Sequence, residues 1–134
     1  MNYFDGKSIN LHISYLPWNR GADPNLWSIL EDTLKGVTIH QIDEGIDTGK
    51  IYYQKEVSFS ENETLSSSYK ILCSEIVSLF IKNWSKVESK ELKPEKQRGP
   101  GTYHKTSDKK EYMGLLDLGW DVKIDKLIGK AKYV

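Results

Sequence analysis

Alternation of apolar and polar positions marks three strands in the first half of the chain. Residues 9–13 alternate at every position, residues 37–42 form a β-branched run, and residues 50–59 resume the alternation. Residues 43–49 (DEGIDTG) form an acidic segment with two glycines between the second run and the third. We therefore predict that the second and third strands pair as an antiparallel hairpin across a tight loop.

Helical spacing of apolar residues follows the third strand. One buried helix face is predicted, with members at intervals of three and four: Leu65, Tyr69, Leu72, Cys73, Ile76, Phe80, Trp84 and Val87. Asn62 or Thr64 is suited to cap its start. A helix of about two turns is expected from Pro24, and two short helical segments are expected at 107–116 and 125–129. The pattern as a whole predicts an α/β domain with a small sheet.

The charge balance limits the classes of partner. Lys plus Arg and Asp plus Glu are 19 each, so no overall basic field is available to attract nucleic acid or an anionic membrane. No segment approaches the roughly 18 apolar residues of a membrane span, and the first residues lack the apolar core of a signal peptide. We expect a cytoplasmic protein without a membrane partner. The single cysteine excludes an internal disulfide.

Two polar residues on the first strand are candidates for acyl-transfer chemistry. Asn10 and His12 are one residue apart, which puts both side chains on one face of a strand, with Leu11 and Ile13 facing the opposite way into packing. An amide can donate to a tetrahedral oxyanion, and an imidazole can handle a proton. Polar alternation on a half-exposed strand explains the same spacing, so the pair alone is a weak signal.

Asp47 and His40 are the further candidates for this site. Asp47 lies in the glycine-punctuated loop, where a carboxylate near His12 would orient the ring; an ordinary turn aspartate is the simpler interpretation. His40 is expected to line the pocket rather than to act in catalysis. No His or Cys pair has metal-ligand spacing, so no metal site is predicted.

Several segments in order resemble the folate-dependent formyltransferase family, which includes methionyl-tRNA formyltransferase and the sugar N-formyltransferases. Residues 10–17 (NLHISYLP) are similar to its Asn-x-His-x-Ser-x-Leu-Pro motif, and Arg20, Gly21 and Pro24 match an Arg-Gly-x-x-Pro segment. Residues 36–40 and 43–49 resemble the strand and loop that carry the family's last catalytic residue. The resemblance implies an enzyme that transfers a formyl group from 10-formyltetrahydrofolate to an amine.

The resemblance also implies roles for individual residues. Asn10 would stabilise the oxyanion, His12 would transfer a proton, and Asp47 would assist His12 and the attacking amine. The folate side of the site would be formed by His40, Asp43, Glu44, Gly45 and Ile46. The acceptor side would be formed by Trp18, Arg20, Tyr103 and Lys105.

The C-terminal part favours a subfamily. Residues 101–105 (GTYHK), Asp108 and residues 119–121 (GWD) look most like sugar N-formyltransferases that act on nucleotide-linked 4-amino-4,6-dideoxy sugars. A nucleotide-sugar is therefore the expected partner. A methionyl-tRNA formyltransferase-like enzyme and a non-catalytic, folate-binding remnant stay open as alternatives, although the neutral net charge disfavours a tRNA partner.

One departure from the family concerns the start of the domain. Family members begin with a Rossmann-like half before the Asn-x-His strand, and no such half is found here. We expect residues 1–90 to be the C-terminal half of the catalytic domain, a small mixed sheet with a β-hairpin and flanking helices, and residues 91–134 to be an extension packed on it. The first strand would then be a sheet edge, available to a homo-oligomer or to the missing N-terminal half.

Overall fold

The computed structural model describes residues 8–131, which form a small α/β arrangement as predicted. Two helices and five strands are assigned: β1 Ile9–His12, β2 Arg20–Gly21, α1 Pro24–Leu30, β3 Gly36–Gln41, β4 Ile51–Glu56, α2 Leu65–Glu88 and β5 Tyr103–His104. Three 3-10 segments follow: Thr106–Leu115, Gly119–Asp121 and Ile124–Lys126. The two expected C-terminal helices are therefore 3-10 rather than α-helical. The first of them buries none of its residues fully and packs on buried apolar residues through Tyr112, so it lacks the broad apolar face that stabilises an α-helix.

The main sheet has three antiparallel strands in the order β1-β3-β4. The β3–β4 pair is the predicted hairpin, with a register shift beside His40 that leaves Tyr52 as an additional residue on β4. β1 pairs with β3 and lies at the edge of this sheet, as expected from the sequence. The parallel pairing occurs separately, between the two-residue strands β2 and β5. Pairing of β1 with another strand at this edge stays a prediction.

One core lies between α2 and the inner face of the sheet. Its buried members are Val37, Ile39, Val57, Leu72 and Ile76. Leu11, which was expected to pack on this side, is instead 37% exposed because it lies on the edge strand, whereas α2 packs mainly against β3. Because Val37 and Ile39 of the central strand β3 are in this core, the core also fixes the position of the polar residues on the opposite face of β3.

Helix α2 begins at the predicted position. Thr64 is its N-cap, and the Thr64 hydroxyl accepts a hydrogen bond from the Ser67 backbone N–H at 3.0 Å. The predicted apolar face is only partly buried, since Tyr69 and Trp84 are 53% and 37% exposed. Small polar residues, such as Ser68, occupy part of the buried face instead.

The C-terminal segment contributes to a second core. Val122, Ile124, Leu127 and Ala131 pack in one buried cluster with the α1 residues Leu26, Trp27, Ile29 and Leu30. Because these side chains cover α1, the segment after residue 90 packs on the first part of the chain. The domain boundary itself stays a prediction. Within residues 8–131, no helix combines the length and the apolar character that crossing a membrane requires.

Candidate active site

Strand register brings the predicted polar residues to one face of the sheet. Asn10 of β1 lies opposite His40 of β3, and His12 lies opposite Thr38. In a sheet, paired residues point to the same side, so these four side chains share a face away from α2. His12, Thr38 and His40 are buried, at 7%, 0% and 2% exposure. Thr38 fixes this face locally, because its hydroxyl donates to the Ser14 carbonyl at 2.7 Å.

Asp47 completes the cluster from the loop between β3 and β4. Its Oδ1 lies 3.3 Å from Asn10 Nδ2, 3.5 Å from His40 Nε2 and 3.7 Å from His12 Nδ1. Its Oδ2 accepts a hydrogen bond from the Gly21 backbone N–H at 2.8 Å. The structure thus brings together Asn10, His12, His40 and Asp47, which we call the polar cluster.

The protonation pattern of His12 follows from its neighbours. The Asn19 backbone carbonyl lies 2.9 Å from His12 Nε2, so Nε2 carries the hydrogen and Nδ1 of the neutral ring faces Asp47. Burial lowers the pKa of His12 below 6.5 and outweighs Asp47 and the Asn19 carbonyl, which both raise it, while His40 lowers it further. His12 is therefore largely neutral at pH 7 and can accept a proton at Nδ1, beside a carboxylate that stabilises the resulting charge.

Asp47 is held in its ionised form. Burial would raise the pKa of this carboxyl, but the contact with His40, the positive charge that His12 carries at acid pH and the Gly21 N–H together lower it to about 2. The Asn10 amide contacts Asp47 and His40 at 3.3 and 3.4 Å, which are long for N–H donors. This amide can therefore turn to a new acceptor with a small loss of bonding.

Two supporting residues were not found from the sequence. Asn19, which is 1% exposed and has a left-handed backbone (φ 62), holds His12 through its carbonyl. Gln97 donates from Nε2 to the backbone carbonyls of Asp47 and Gly49, both at 2.8 Å. Position 19 carries a weak signal, because asparagine tolerates the left-handed region; Gln97 lies 50 residues from Asp47 and carries none.

The residues expected on the folate side are divided by the structure. His40 lies in the polar cluster, whereas Asp43, Glu44, Gly45 and Ile46 are exposed in the loop. Asp43 organises that loop, since its Oδ1 accepts from the Gly45 N–H at 2.9 Å and from the Thr48 hydroxyl at 2.6 Å. Their contact with a folate stays a prediction. Among the described residues, no group of three His, Cys, Asp or Glu side chains is placed to hold a metal ion.

The residues expected on the acceptor side lie farther from one another. Arg20 and Tyr103 are paired across β2 and β5, beside the Gly21 that bonds Asp47. Trp18 lines a separate cavity of about 540 Å³, and Lys105 is exposed after β5. The structure therefore places Arg20 and Tyr103 near the polar cluster, and the roles of all four residues stay predictions.

The chain matches a known family over most of its length. Residues 1–82 of the 134 match the sequence profile of the family described as formyl transferase. The chain belongs to this formyl transferase family. Among curated relatives, methionyl-tRNA formyltransferase of Thermodesulfovibrio yellowstonii is 39% identical over 99 residues, covering 71% of this chain and 31% of that protein. The chain thus spans about a quarter to a third of the length of these curated relatives.

Solved structures of formyltransferases share the fold closely. PseJ from Anoxybacillus kamchatkensis, solved with UDP-4,6-dideoxy-4-formamido-L-AltNAc and tetrahydrofolate, is 52% identical with a TM-score of 0.95, covering 97% of this chain and 69% of that one. A 4-N formyltransferase from Francisella tularensis is 31% identical with a TM-score of 0.74, covering 91% of this chain and 50% of that one. The formyltransferase resemblance drawn from the sequence motifs is confirmed.

Proposed function

We propose that this formyl transferase domain moves a formyl group from 10-formyltetrahydrofolate to the amine of a nucleotide-linked amino sugar. One observation carries the proposal: Asn10, His12 and Asp47 meet in one contact set, on a chain that is 52% identical to PseJ over 97% of its length. PseJ was solved with a nucleotide-linked formamido sugar and tetrahydrofolate. A 4-amino-4,6-dideoxy sugar, which the sequence favoured, is the matching acceptor class.

The polar cluster supplies the groups that a direct transfer needs. The acceptor amine attacks the formyl carbon, a carbon–nitrogen bond forms, and the carbonyl oxygen becomes an oxyanion. The weakly held Asn10 amide turns to donate to that oxyanion. His12 Nδ1 takes the proton released by the amine, and Asp47 stabilises the imidazolium. Breakdown of the tetrahedral species cleaves the bond from the formyl carbon to the folate nitrogen, and the His12 imidazolium gives its proton to that nitrogen as it leaves.

The surroundings of the cluster suit the two substrates. The exposed loop residues Asp43 to Ile46 lie next to Asp47, where a folate ring would bring its formyl group to the cluster. Arg20 and Tyr103 on β2 and β5 border the same carboxylate through Gly21, and there they would contact the acceptor. Trp18 and Lys105 would contact more distant parts of it.

Methionyl-tRNA is the second candidate acceptor. Its support is the 39% identity to a methionyl-tRNA formyltransferase. The higher identity to PseJ and the zero net charge favour the sugar, because phosphate-rich tRNA is generally bound by clustered Lys and Arg. The two acceptors share the same cluster chemistry, so an acceptor comparison decides between them.

The test is formyl transfer by the purified chain from 10-formyltetrahydrofolate. The acceptors are UDP- and dTDP-linked 4-amino sugars and, in parallel, methionyl-tRNA, at several protein concentrations to reveal an oligomer requirement. We expect turnover with an amino sugar, loss of most turnover in His12→Ala, and a loss of about a hundred-fold or more in Asn10→Ala. Asn62→Ala, at an exposed asparagine, is the matched control and should keep full turnover.

Each outcome has a defined meaning. Turnover with methionyl-tRNA alone would move the assignment to the second candidate. Normal turnover by Asn10→Ala would remove its oxyanion role. Folate binding without transfer to any acceptor, at all concentrations, would favour the non-catalytic remnant.

A further inference from the structure

The side-chain amide of Gln97 is fully engaged between the Asp47 loop and Arg20. Its Nε2 donates to the carbonyls of Asp47 and Gly49, both at 2.8 Å. Its Oε1 accepts from Arg20 Nε at 3.1 Å and from Arg20 Nη2 at 2.6 Å. We propose that Gln97 is a positioning residue for Asp47, fixing the loop backbone that aims this carboxylate at Asn10 and His12.

The segment that carries Gln97 is anchored to the sheet. Glu95 forms a two-way bridge with Ile51, the first residue of β4, through N–H to carbonyl distances of 2.7 and 2.8 Å. Gln97 follows two residues later, and Ile51 lies just after the loop that carries Asp47. The anchor therefore brings the Gln97 side chain to the loop from the C-terminal part of the chain.

Arg20 sets which end of the Gln97 amide faces the loop. A guanidinium has donors and no acceptor, so it must meet the oxygen of the amide. Its donation to Oε1 turns the Nε2 hydrogens toward the two loop carbonyls. Arg20 itself is held further by its Nη1 donation to the Pro100 carbonyl at 3.3 Å.

The backbone of Asp47 depends on a hydrogen bond from outside its own loop. That backbone lies in the left-handed region, with φ 56, which aspartate and asparagine tolerate better than other residues with a Cβ but which surrounding contacts must select over the ordinary conformations. Within the loop, the Asp43 carboxylate binds Gly45 and Thr48 but not Asp47. Gln97 therefore supplies the hydrogen bond to the Asp47 carbonyl from outside the loop.

The first test reads the position of Asp47 without any turnover. The chain has three histidines, so the Cε1–H resonances of His12, His40 and His104 can be assigned by single substitution and followed with pH by NMR. The titratable groups that face His12 are Asp47, which raises its pKa, and His40, which lowers it. Asp47→Asn gives the full effect of losing the carboxylate.

We expect Gln97→Met to lower the pKa of His12 in the same direction as Asp47→Asn. The His104 resonance comes from a ring near Glu31 and Asp108. It is compared between the unmodified protein and each variant as the internal reference. Far-UV circular dichroism confirms folding. Gln97→Glu, which keeps Arg20 but lacks both N–H donors, is left to the kinetic test, because its added charge would itself raise the pKa of His12. A His12 titration in Gln97→Met equal to that of the unmodified protein would overturn the proposal.

The second test is kinetic and rests on the proposed function. We expect Gln97→Met and Gln97→Glu to lower kcat by about tenfold to a hundred-fold, because misplacing a catalytic group by roughly 1 Å has such an effect. KM for both substrates should change less. In an Asp47→Asn background, Gln97→Met should have little further effect, since its influence acts through Asp47.

The two tests separate the two proposals. Additive losses in the double variant would show that Gln97 acts elsewhere. If the unmodified chain transfers no formyl group, the proposed function fails while the NMR titration still decides whether Gln97 positions Asp47.

Discussion

Gly49→Ala is the substitution whose effect the structure defines most sharply. A Cβ added at Gly49 would lie 1.7 Å from the Gln41 backbone oxygen, whereas real Cβ atoms essentially never approach closer than 3.0 Å. The difference, 3.0 minus 1.7, is at least 1.3 Å of displacement that the backbone must supply. The Gln41 carbonyl is itself held, because His40 Nδ1 donates to it at 2.7 Å.

Either way of opening this gap disturbs the polar cluster. Moving Gln41 breaks its bond with His40, and moving Gly49 shifts the loop of Asp47 and the Gly49 carbonyl that accepts from Gln97. Overpacking of this kind typically costs about 1–3 kcal/mol of folding stability. A displacement on the order of 1 Å at a catalytic group lowers kcat by about a hundred-fold.

Urea unfolding followed by circular dichroism measures the stability effect. With a slope of about 2 kcal/mol per molar urea, a loss of about 2 kcal/mol lowers the midpoint by about 1 M. Gly114→Ala is the matched control, because Gly114 is exposed and has no atom within 4 Å of the added Cβ; its stability should stay within about 0.5 kcal/mol. Equal midpoints for the two variants would refute the steric reasoning.

Two other predictions concern the carboxylate and the core. The Asp47 carboxyl, with its pKa lowered from 3.8 to about 2, stabilises the fold above pH 3.8, and this contribution is lost as the pH falls through 2. We expect Asp47→Asn to remove about 2 kcal/mol of the change in unfolding free energy between pH 5 and pH 2, and an unchanged acid dependence would contradict it. Leu72→Ala, at a side chain 1% exposed on α2, should cost about 2–5 kcal/mol. Val77→Ala, on the same helix but 51% exposed, should cost under about 0.5 kcal/mol, and equal losses would exclude the assigned core.

Local patterns were sufficient to predict the strands and the hairpin. Alternation and β-branching located β1, β3 and β4 to within a few residues, because each strand has one face in the core. The one-residue spacing of Asn10 and His12 placed both on the polar face, as the register with Thr38 and His40 shows. Periodicity was less informative on α2, where Tyr69 and Trp84 have core-like spacing but lie on its exposed flank.

The contacts that hold the site could not be predicted from local patterns. Asn19 and Gln97 act through backbone carbonyls, which are the same in every residue type. Asparagine at position 19 gives only a weak signal of the backbone conformation, and position 97 gives none. The contact of His104 with Trp27, stacked at 3.6 Å, likewise joins residues far apart in the chain. Such pairings depend on the tertiary path of the C-terminal segment, which the amphipathic pattern does not specify.

The loop from Asp43 to Gly49 has an exposed half and a half that is fixed by contacts outside the loop. Its first half, up to Ile46, is exposed and is organised only by Asp43. Its second half is fixed at Asp47 by Gly21 and Gln97, and at Gly49 by close approach to Gln41. If the proposed function holds, we expect the exposed half to adjust to the bound substrate while the carboxylate keeps its place beside His12, an arrangement that a uniformly mobile loop could not provide.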